Sequence, residues 1–467
     1  MGAARAEPGL SPKRRGNLHT KDYEWHEKYG DIVRFGPNSL SFKTSKALSD
    51  SYAVRANVQK SDGYASISPS RYTSNTLTAI SKNIHTFKRR ILTQAFPDQS
   101  IQEMEGRIQE NISSFLDILI SGTGSESGWS SPKNISEKCD WLAFDVITDL
   151  SYGNDLDMLN SPQMRWFPSV IRKISQRSLI GLFQPCFIKF RLDVVLLTQK
   201  YREIVAVARW TRSQAAARLQ PGNNNEQKDI FGAMMNAKDN KTALQFTRKD
   251  LGLESMLLLV AGSDTTATAL SATLNYILHD TNTLAHLTSI IRRTFPTESS
   301  ITATSVLSSP DCSVLHACIN EAMRLTPPAP NLLPRTVLSG GMEVDGIYVP
   351  AGTIVGVSAY TIHRNRTYFS NPDGYEPGRW LEGNEMSQQK MQMAFVPFSM
   401  EPRKCVAWRL AWAELNLAIA RVLWRYDLRL AESARCCKEG SKCEYSFKAG
   451  VTTAVDGPMI EFRPRIV

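Results

Sequence analysis

The run Phe398-Ser-Met-Glu-Pro-Arg-Lys-Cys405-Val-Ala407 is the most informative stretch of this sequence. An aromatic residue stands seven positions before the cysteine, an arginine stands two before it, and a helix-like segment follows at 408–424. A cysteine in a stiff loop at a helix start lies in an electropositive place, which favours the thiolate form. A thiolate is a good soft ligand for iron. A lone cysteine is more often a buried structural residue, so the stretch needs support from elsewhere in the chain.

Three upstream motifs supply that support. Ala261-Gly-Ser-Asp-Thr-Thr266 lies inside a long apolar segment, and such residues in mid-helix predict a local break or the close approach of a flat group. Glu321-Ala-Met-Arg324 places opposite charges three residues apart on one helix, which two prolines then end. The turn Tyr375-Glu-Pro-Gly-Arg-Trp380 supplies a further arginine. Each motif alone also fits ordinary packing or a surface charge.

Hydrophobic periodicity predicts a mainly helical chain with a small β component. Apolar residues recur with helical period at 101–120, and similar patterns lie at 139–151, 196–219, 250–280, 312–325 and 408–426. Strands are predicted at 32–35 and 39–42 around a tight turn, and at 344–349 and 353–357. The short polar stretches 121–132 and 221–228 are predicted to be surface loops.

The four motifs, in this order, resemble those of the cytochrome P450 family of haem-thiolate monooxygenases. The resemblance runs from His26-Glu-Lys-Tyr-Gly30 to the C-terminus, and the segments 29–42 and 331–335 are similar to fungal members that act in secondary metabolism. The family fold is mainly α with a small β region. We therefore expect one P450-like domain over 26–467, after a polar segment 1–25 that carries no membrane anchor.

The resemblance implies a haem b cofactor whose iron takes Cys405 as its axial ligand. Phe398 would pack on the haem near the sulfur, and Arg403 would pair with a propionate. In the family, propionates also meet basic residues from other elements, and the matching positions here are His85, Arg89 and Arg335. Buried carboxylates need such cationic partners.

The resemblance also assigns two further groups of residues. Asp264 and Thr265 match the acid and alcohol pair that directs protons during dioxygen cleavage. Glu321, Arg324 and Arg379 would form a buried charge network that supports the cysteine loop. The substrate pocket would be lined from 61–80, 256–261, 332–333 and 451–453, a mixture of apolar and hydroxyl side chains.

The sequence departs from the family pattern at three positions. Glu401 and Ala407 stand where glycine is usual, and Gly378 replaces the glutamate before Arg379. Glycine tolerates positive φ without a steric penalty, so we expect a strained backbone at Glu401. These departures leave a catalytically impaired haem-binding protein as one alternative. A haem-thiolate isomerase or dehydratase is another, although such members often lack the distal threonine that Thr265 provides.

Bulk composition limits the partners of the protein. The 467 residues carry a formal net charge of +10. Such an excess usually reflects a solvated basic surface, and it also suits an acidic protein partner or an anionic membrane. No pattern typical of nucleic-acid binding occurs, so nucleic acid is not expected as a partner. The family resemblance implies NADPH-cytochrome P450 reductase as electron donor, together with O2 and a lipophilic small molecule.

The sequence contains no run of 18 apolar residues, and it therefore predicts no transmembrane helix. The apolar stretch 179–197 predicts a core helix or a peripheral contact with a membrane surface. By resemblance we expect the cytosolic face of the endoplasmic reticulum, with the cytoplasm as the alternative. Eight scattered cysteines fit a reducing compartment, and Cys436, Cys437 and Cys443 lack a nearby fourth ligand for zinc.

Overall fold

Helices dominate the protein and pack around one long central helix, with small sheets at the periphery. The computed structural model describes residues 4–5, 16–68, 73–122, 128–154, 156–192, 194, 198–220, 229–432 and 445–465. The α-helices are α1 (Leu18–Tyr29), α2 (Ser45–Tyr52), α3 (Gly63–Ser66), α4 (Lys82–Thr93), α5 (Asp98–Ile120), α6 (Ile135–Tyr152), α7 (Phe167–Phe183), α8 (Pro185–Lys189), α9 (Thr198–Arg218), α10 (Ile230–Asn236), α11 (Arg248–His279), α12 (Thr281–Thr294), α13 (Ala303–Ser308), α14 (Ser313–Leu325), α15 (Ala359–Ile362), α16 (Glu385–Ala394) and α17 (Trp408–Arg425). Short 3₁₀ helices lie at Glu298–Ser300, Pro310–Cys312 and Pro377–Trp380.

The strands form one larger sheet and several small ones. Six strands run in the order β1-β2-β3-β9-β6-β4, three in the order β10-β13-β5, and two hairpins pair β7 with β8 and β11 with β12. The strands are β1 (Ala4–Arg5), β2 (Ile32–Gly36), β3 (Ser39–Phe42), β4 (Val58–Lys60), β5 (Lys133–Asn134), β6 (Arg335–Val337), β7 (Met342–Val344), β8 (Ile347–Val349), β9 (Ile354–Val357), β10 (Tyr426–Leu430), β11 (Phe447–Ala449), β12 (Thr453–Val455) and β13 (Met459–Pro464).

The central helix α11 begins with a capping box in which the side chains of Thr247 and Asp250 satisfy each other's backbone N–H groups. Its 32 residues are continuous, so the break predicted around Gly262 is wrong. A Cβ added to Gly262 would lie 2.7 Å from a side-chain carbon of Ile147 on α6, so glycine here permits close helix packing. Within the described residues, α11 alone is long and apolar enough to cross a membrane, and 72% of its most apolar window is buried inside the protein.

Most of the predicted elements are confirmed, with ends that differ by a few residues. The predicted helices at 101–120, 139–151, 250–280, 312–325 and 408–426 correspond to α5, α6, α11, α14 and α17, and the predicted 196–219 corresponds to α9 within its described part. The strands predicted at 32–35, 39–42 and 353–357 correspond to β2, β3 and β9.

Two predicted elements are wrong. The single strand expected at 344–349 is the hairpin of β7 and β8, because Asp345 and Gly346 turn the chain with φ of 52° and 76°. The apolar stretch 179–197 is not one helix, because α7 ends at Phe183 and Pro185 starts the short α8. Beyond these helices Phe190 is exposed over 67% of its surface.

Some predictions concern residues outside the described part. The loop 221–228, most of the segment 1–15 and the three cysteines at 436, 437 and 443 belong to this group. The proposed division between residues 25 and 26 lies inside α1, which begins at Leu18.

Candidate active site

The loop that carries Cys405 closes on itself before α17 begins. The backbone N–H of Cys405 donates to the carbonyl of Phe398 at 2.8 Å, and the N–H of Arg403 donates to Met400 at 3.0 Å. Phe398 is half-buried and packs on the main hydrophobic core. These bonds fix the position of the cysteine relative to the start of α17 at Trp408.

The expectation of a strained, positive φ at Glu401 is wrong. The residue of this loop with positive φ is Ser399, at 59°. Glu401 is exposed, and its charge acts on Arg89. The nearby bases have other contacts, since Arg409 pairs with Asp98 at 3.0 Å and the ammonium of Lys404 lies over the ring of Trp408. The loop therefore turns at a different residue from the one that family glycines suggested.

Cys405 has accessible surface, and neighbouring protein atoms nevertheless desolvate its thiol. Burial raises the pKa of this thiol, while the backbone N–H of Ala407 and the charges of Arg89 and Lys404 lower it. The electropositive surroundings that the sequence predicts are present, but burial has the larger effect on this pKa. Coordination to a metal ion would deprotonate the thiol.

Basic side chains converge near this loop and form no ion pair with a carboxylate in the described part of the chain, although the charge of Glu401 acts on Arg89 and that of Glu254 on Lys60. His85, Arg335 and Lys60 are buried, and Arg89 and Arg403 are half-buried. Burial lowers the pKa of His85 to about 3, and the charges of the other four residues lower it further. Burial also lowers the pKa of Arg403 to about 10, with Arg335 as the next contributor. The five residues thus share one strongly positive region.

The partners of these cations are neutral oxygens. Arg335 donates to the hydroxyl of Tyr64 and to the carbonyl of Pro334, each at 3.3 Å. Arg403 donates to the carbonyl of Ala79 at 3.3 Å, and Lys60 donates to that of Leu77. Arg89 donates to the carbonyl of Lys404 at 2.6 Å and so joins α4 to the cysteine loop. Neutral oxygens satisfy hydrogen bonds but leave the repulsion between buried cations uncompensated.

Sequence reasoning missed Lys60. It lies on β4 directly opposite Arg335 on β6, so the two long basic side chains are cross-strand neighbours. Its pKa is lowered well below the ordinary lysine value by burial and then by Arg335 and Arg403. Only the strand register reveals this proximity, because the two residues are 275 positions apart in the chain.

The structure brings Glu321, Arg324 and Arg379 together in one network. The carboxylate of Glu321 accepts from Nε and Nη2 of Arg324 at 2.9 and 2.8 Å and from Nε of Arg379 at 3.0 Å. It also accepts from the indole of Trp380 and the backbone N–H of Glu376, both at 2.9 Å. Arg379 pairs in addition with the carboxylate of Glu376 at 2.9 Å. Glu376 therefore supplies Arg379 with a carboxylate, while Gly378 stands where the family usually has a glutamate.

His363 connects this network to the cysteine loop. Its Nε2 accepts from the backbone N–H of Val396 at 2.9 Å, and its Nδ1 lies 3.2 Å from the carbonyl of Arg324. Burial lowers the pKa of His363 to about 3, so the neutral ring donates from Nδ1 and accepts at Nε2. Sequence reasoning missed this residue, since no local pattern marks a histidine that bridges two backbones.

On α11, Asp264 and Thr265 point to different partners. The hydroxyl of Thr265 donates to the carbonyl of Ala261 at 2.6 Å. Thr265 and Ala261 retain accessible surface within a helix that is otherwise mostly buried. Asp264 is buried and accepts from the hydroxyl of Thr452. Burial raises the pKa of Asp264, and the bond from Thr452 and the charge of Arg172 oppose that rise. No direct hydrogen bond joins the acid to the alcohol in the described part of the chain.

Comparison with known proteins agrees with this arrangement. The sequence model of the cytochrome P450 family matches residues 9–445. The chain belongs to the cytochrome P450 family. Among similar proteins, cytochrome P450 monooxygenase poxM of Penicillium oxalicum is 35% identical and covers 97% of this chain and 86% of that protein. Cytochrome P450 monooxygenase AKT7 of Alternaria alternata is 33% identical over 96% of this chain and 88% of that protein. Cytochrome P450 monooxygenase atnE of Emericella nidulans is 31% identical over 97% of this chain and 88% of that protein.

The residues of this P450 fit the haem that the family binds. Haem b carries carboxylate side chains, and a cluster of cations that forms no ion pair within the described part of the chain is the environment such groups require. Cys405 offers a soft ligand with accessible surface. His85, Arg89, Arg335, Arg403 and Lys60 would therefore hold the propionates, and Cys405 the iron. When bound, the haem supplies activation of O2 and transfer of one oxygen atom to a substrate.

The family assignment also bears on the partners and location of the P450. P450 monooxygenases generally use a reductase as redox partner, O2 and a lipophilic substrate. Fungal members are commonly associated with the endoplasmic reticulum.

Proposed function

We propose that this P450 inserts one oxygen atom from O2 into a lipophilic small molecule of fungal secondary metabolism, with Cys405 as the axial ligand of the haem iron. The observation that supports this most is the combination of a closed cysteine loop with a cluster of cations that forms no ion pair with a carboxylate among the described residues. The similar fungal proteins are named as P450 monooxygenases, which supports the oxygen-transfer reaction.

Within this proposal, Thr265 and Asp264 control protons on the distal side. Thr265 has accessible surface on the central helix, so its hydroxyl is placed to orient water or oxygen beside the haem. Asp264 acts as the proton reservoir, because burial keeps its pKa above the ordinary aspartate value. Glu321, Arg324 and Arg379 hold the cysteine loop in place through His363 and take no part in the chemistry.

We further propose that electrons come from NADPH-cytochrome P450 reductase at the cytosolic face of the endoplasmic reticulum. The net charge of +10 suits docking of an acidic flavoprotein. Exposed Phe190 and Leu192, beyond α8, are candidates for a peripheral contact with the membrane.

A carbon monoxide difference spectrum of the reduced protein tests the ligand assignment. Wild-type protein should give the thiolate-type spectrum, and Cys405→Ala should lose it. Cys186→Ala is the matched control, because Cys186 is the other exposed cysteine in the described part of the chain. An unchanged spectrum in Cys405→Ala would refute the assignment.

The distal roles are tested with NADPH and the reductase. Thr265→Ala should keep the spectrum but release more peroxide per NADPH consumed. Unaltered peroxide release would move the distal role to another group. Turnover of a metabolite without NADPH or reductase would instead indicate an isomerase or dehydratase.

A further inference from the structure

The turn between β11 and β12 reaches the acid of the central helix through a hydroxyl group. The Thr452 hydroxyl donates to Oδ2 of Asp264 and lies 2.7 Å from the hydroxyl oxygen of Ser175 on α7. The backbone N–H of Thr452 also donates to that serine oxygen at 2.9 Å. Ser175 and Asp264 are buried, and Thr452 is half-buried between them. Three elements that are distant in sequence thus meet in one chain of polar groups.

The hydrogen positions in this chain have two consistent arrangements. With Asp264 ionised, Ser175 donates to Thr452 and Thr452 donates to the carboxylate, so each of these oxygens is satisfied. With Asp264 protonated, the carboxyl donates to Thr452, Thr452 donates to Ser175, and the serine proton becomes available to another acceptor. A hydroxyl is both donor and acceptor, so the chain can pass from one arrangement to the other by moving protons along it.

The position of Thr452 is fixed by its neighbours. Asn331 donates to the carbonyl of Gly450 at 2.7 Å, and the N–H of Val451 donates to the carbonyl of Ser175 at 3.2 Å. A Cβ added to Gly450 would lie 2.5 Å from the Ser175 hydroxyl oxygen and 2.6 Å from the backbone of Gln176. Glycine at this position therefore lets α7 approach the turn closely enough for the hydroxyl chain to form.

Burial favours retention of a proton on Asp264, and the charge of Arg172 opposes it. Arg172, also on α7, attracts Asp264, and it donates to the carboxylate of Asp140 on α6. Burial raises the pKa of Asp140 to about 7, with the charges of Asp264 and Glu137 contributing and that of Arg172 opposing. Asp456 also acts on Arg172. Because the two buried carboxyl groups lie near the same guanidinium, the protonation of one affects the protonation of the other.

We propose that the Thr452 hydroxyl is the relay that returns a proton to Asp264 after this acid has delivered one to the distal side. In that step the Thr452 proton moves to the carboxylate, Thr452 takes the proton of Ser175, and a hydronium ion from solvent gives its proton to Ser175 and becomes water. No group is oxidised or reduced. The inference rests on the proposed function of Asp264. It makes the rate of proton supply depend on the turn 450–453, most of which belongs to the expected pocket segment 451–453. A substrate that shifts this turn would change the rate of proton supply.

The test uses haem-loaded full-length protein with NADPH and a flavoprotein reductase, without added substrate. The measured quantities are NADPH consumed, peroxide released, and the ratio of rates in H2O and D2O. Thr452→Val keeps the shape of the side chain and removes the hydroxyl. We expect peroxide release per NADPH to rise, the rate to fall by about tenfold, and the solvent isotope effect to increase, since proton transfer then limits the rate. Thr452→Ser should restore all three.

The matched control is Thr273→Val, because Thr273 lies on the same helix as Asp264 and its hydroxyl donates to the carbonyl of Ala269 at 2.7 Å, one turn earlier on that helix. This control should behave like wild type. If Thr452→Val leaves peroxide release and the isotope effect unchanged while Asp264→Asn alters them, the relay is refuted and the role of Asp264 stands. If Asp264→Asn and Thr265→Ala also change nothing, the proposed distal function fails. Should Thr452→Val lose its carbon monoxide spectrum, Ser175→Ala decides, and an unchanged isotope effect in that variant overturns the relay.

Discussion

Neutralising Glu321 should destabilise the protein by a predictable amount. Glu321 is fully buried and accepts five hydrogen bonds, three of them from Arg324 and Arg379. Glu321→Gln leaves both guanidinium groups without their shared counter-charge while changing the side-chain volume little. Breaking a buried ion pair on one side costs about 3–5 kcal/mol.

This loss converts to a melting temperature through the entropy of unfolding. About 2.1 cal/mol/K per residue over 467 residues gives roughly 1 kcal/mol/K. The Tm of Glu321→Gln should therefore fall by about 3–5 °C, measured by calorimetry on haem-loaded protein at one scan rate. The haem-to-protein ratio should fall with it, because His363 connects the network to the cysteine loop.

Glu24→Gln is the control for this prediction. Glu24 also pairs with a base three residues away, Lys21, but its side chain is 55% exposed. Exposed pairs contribute less than about 1 kcal/mol, so the control should change Tm by at most about 1 °C. Equal melting shifts in the two variants would show that burial of the Glu321 charge is not what makes it important.

Three further predictions concern other buried groups. Burial raises the pKa of Glu414 to about 8, and Oε1 of this carboxyl accepts no hydrogen bond within the described structure. The stability linked to this group is present below its unfolded pKa and is lost, by up to about 1.4 kcal/mol per pH unit, as pH rises towards about 8. Glu414→Gln should therefore raise Tm at pH 8 more than at pH 5 in a calorimetric series. Lys60→Met should raise the Tm of haem-free protein and weaken haem retention, because it removes one repelling cation and one propionate partner. A lower Tm of the haem-free protein would contradict this account. Gly262→Ala should cost about 1–3 kcal/mol in chemical denaturation through its clash with Ile147. In a double-mutant cycle, Gly262→Ala should cost less when Ile147→Ala is already present, because the clashing side-chain atoms are then gone.

The features that the sequence predicted well are those encoded over short distances. The cysteine loop, the Glu321 and Arg324 pair and the long amphipathic helices each depend on spacings of a few residues. The hairpin at 342–349 also had a local signal, the Asp345-Gly346 pair, which sequence reasoning took for part of a strand.

The remaining features depend on register and packing between distant segments. Lys60 joins the cationic cluster only because β4 pairs with β6, and Thr452 meets Asp264 across 188 positions of sequence. The positive φ in the cysteine loop falls at Ser399 rather than Glu401, because a loop can place its turn at more than one residue while presenting the same ligand. Motif comparison fixes which residues are present but not how the backbone between them bends.

The hydrogen bond from Arg89 to the carbonyl of Lys404 has a consequence for assembly of the enzyme. It joins positions 315 apart, whereas the network of Glu321, Arg324 and Arg379 spans 58. Closing the longer loop costs more chain entropy, so the shorter network is the easier one to form first. Haem would contact both Cys405 and the basic residues of α4, and it would thus act as a cross-link between the two ends of that long loop. Loss of the cofactor should therefore loosen α4 and the cysteine loop together, which amide hydrogen exchange would detect as one cooperative unit.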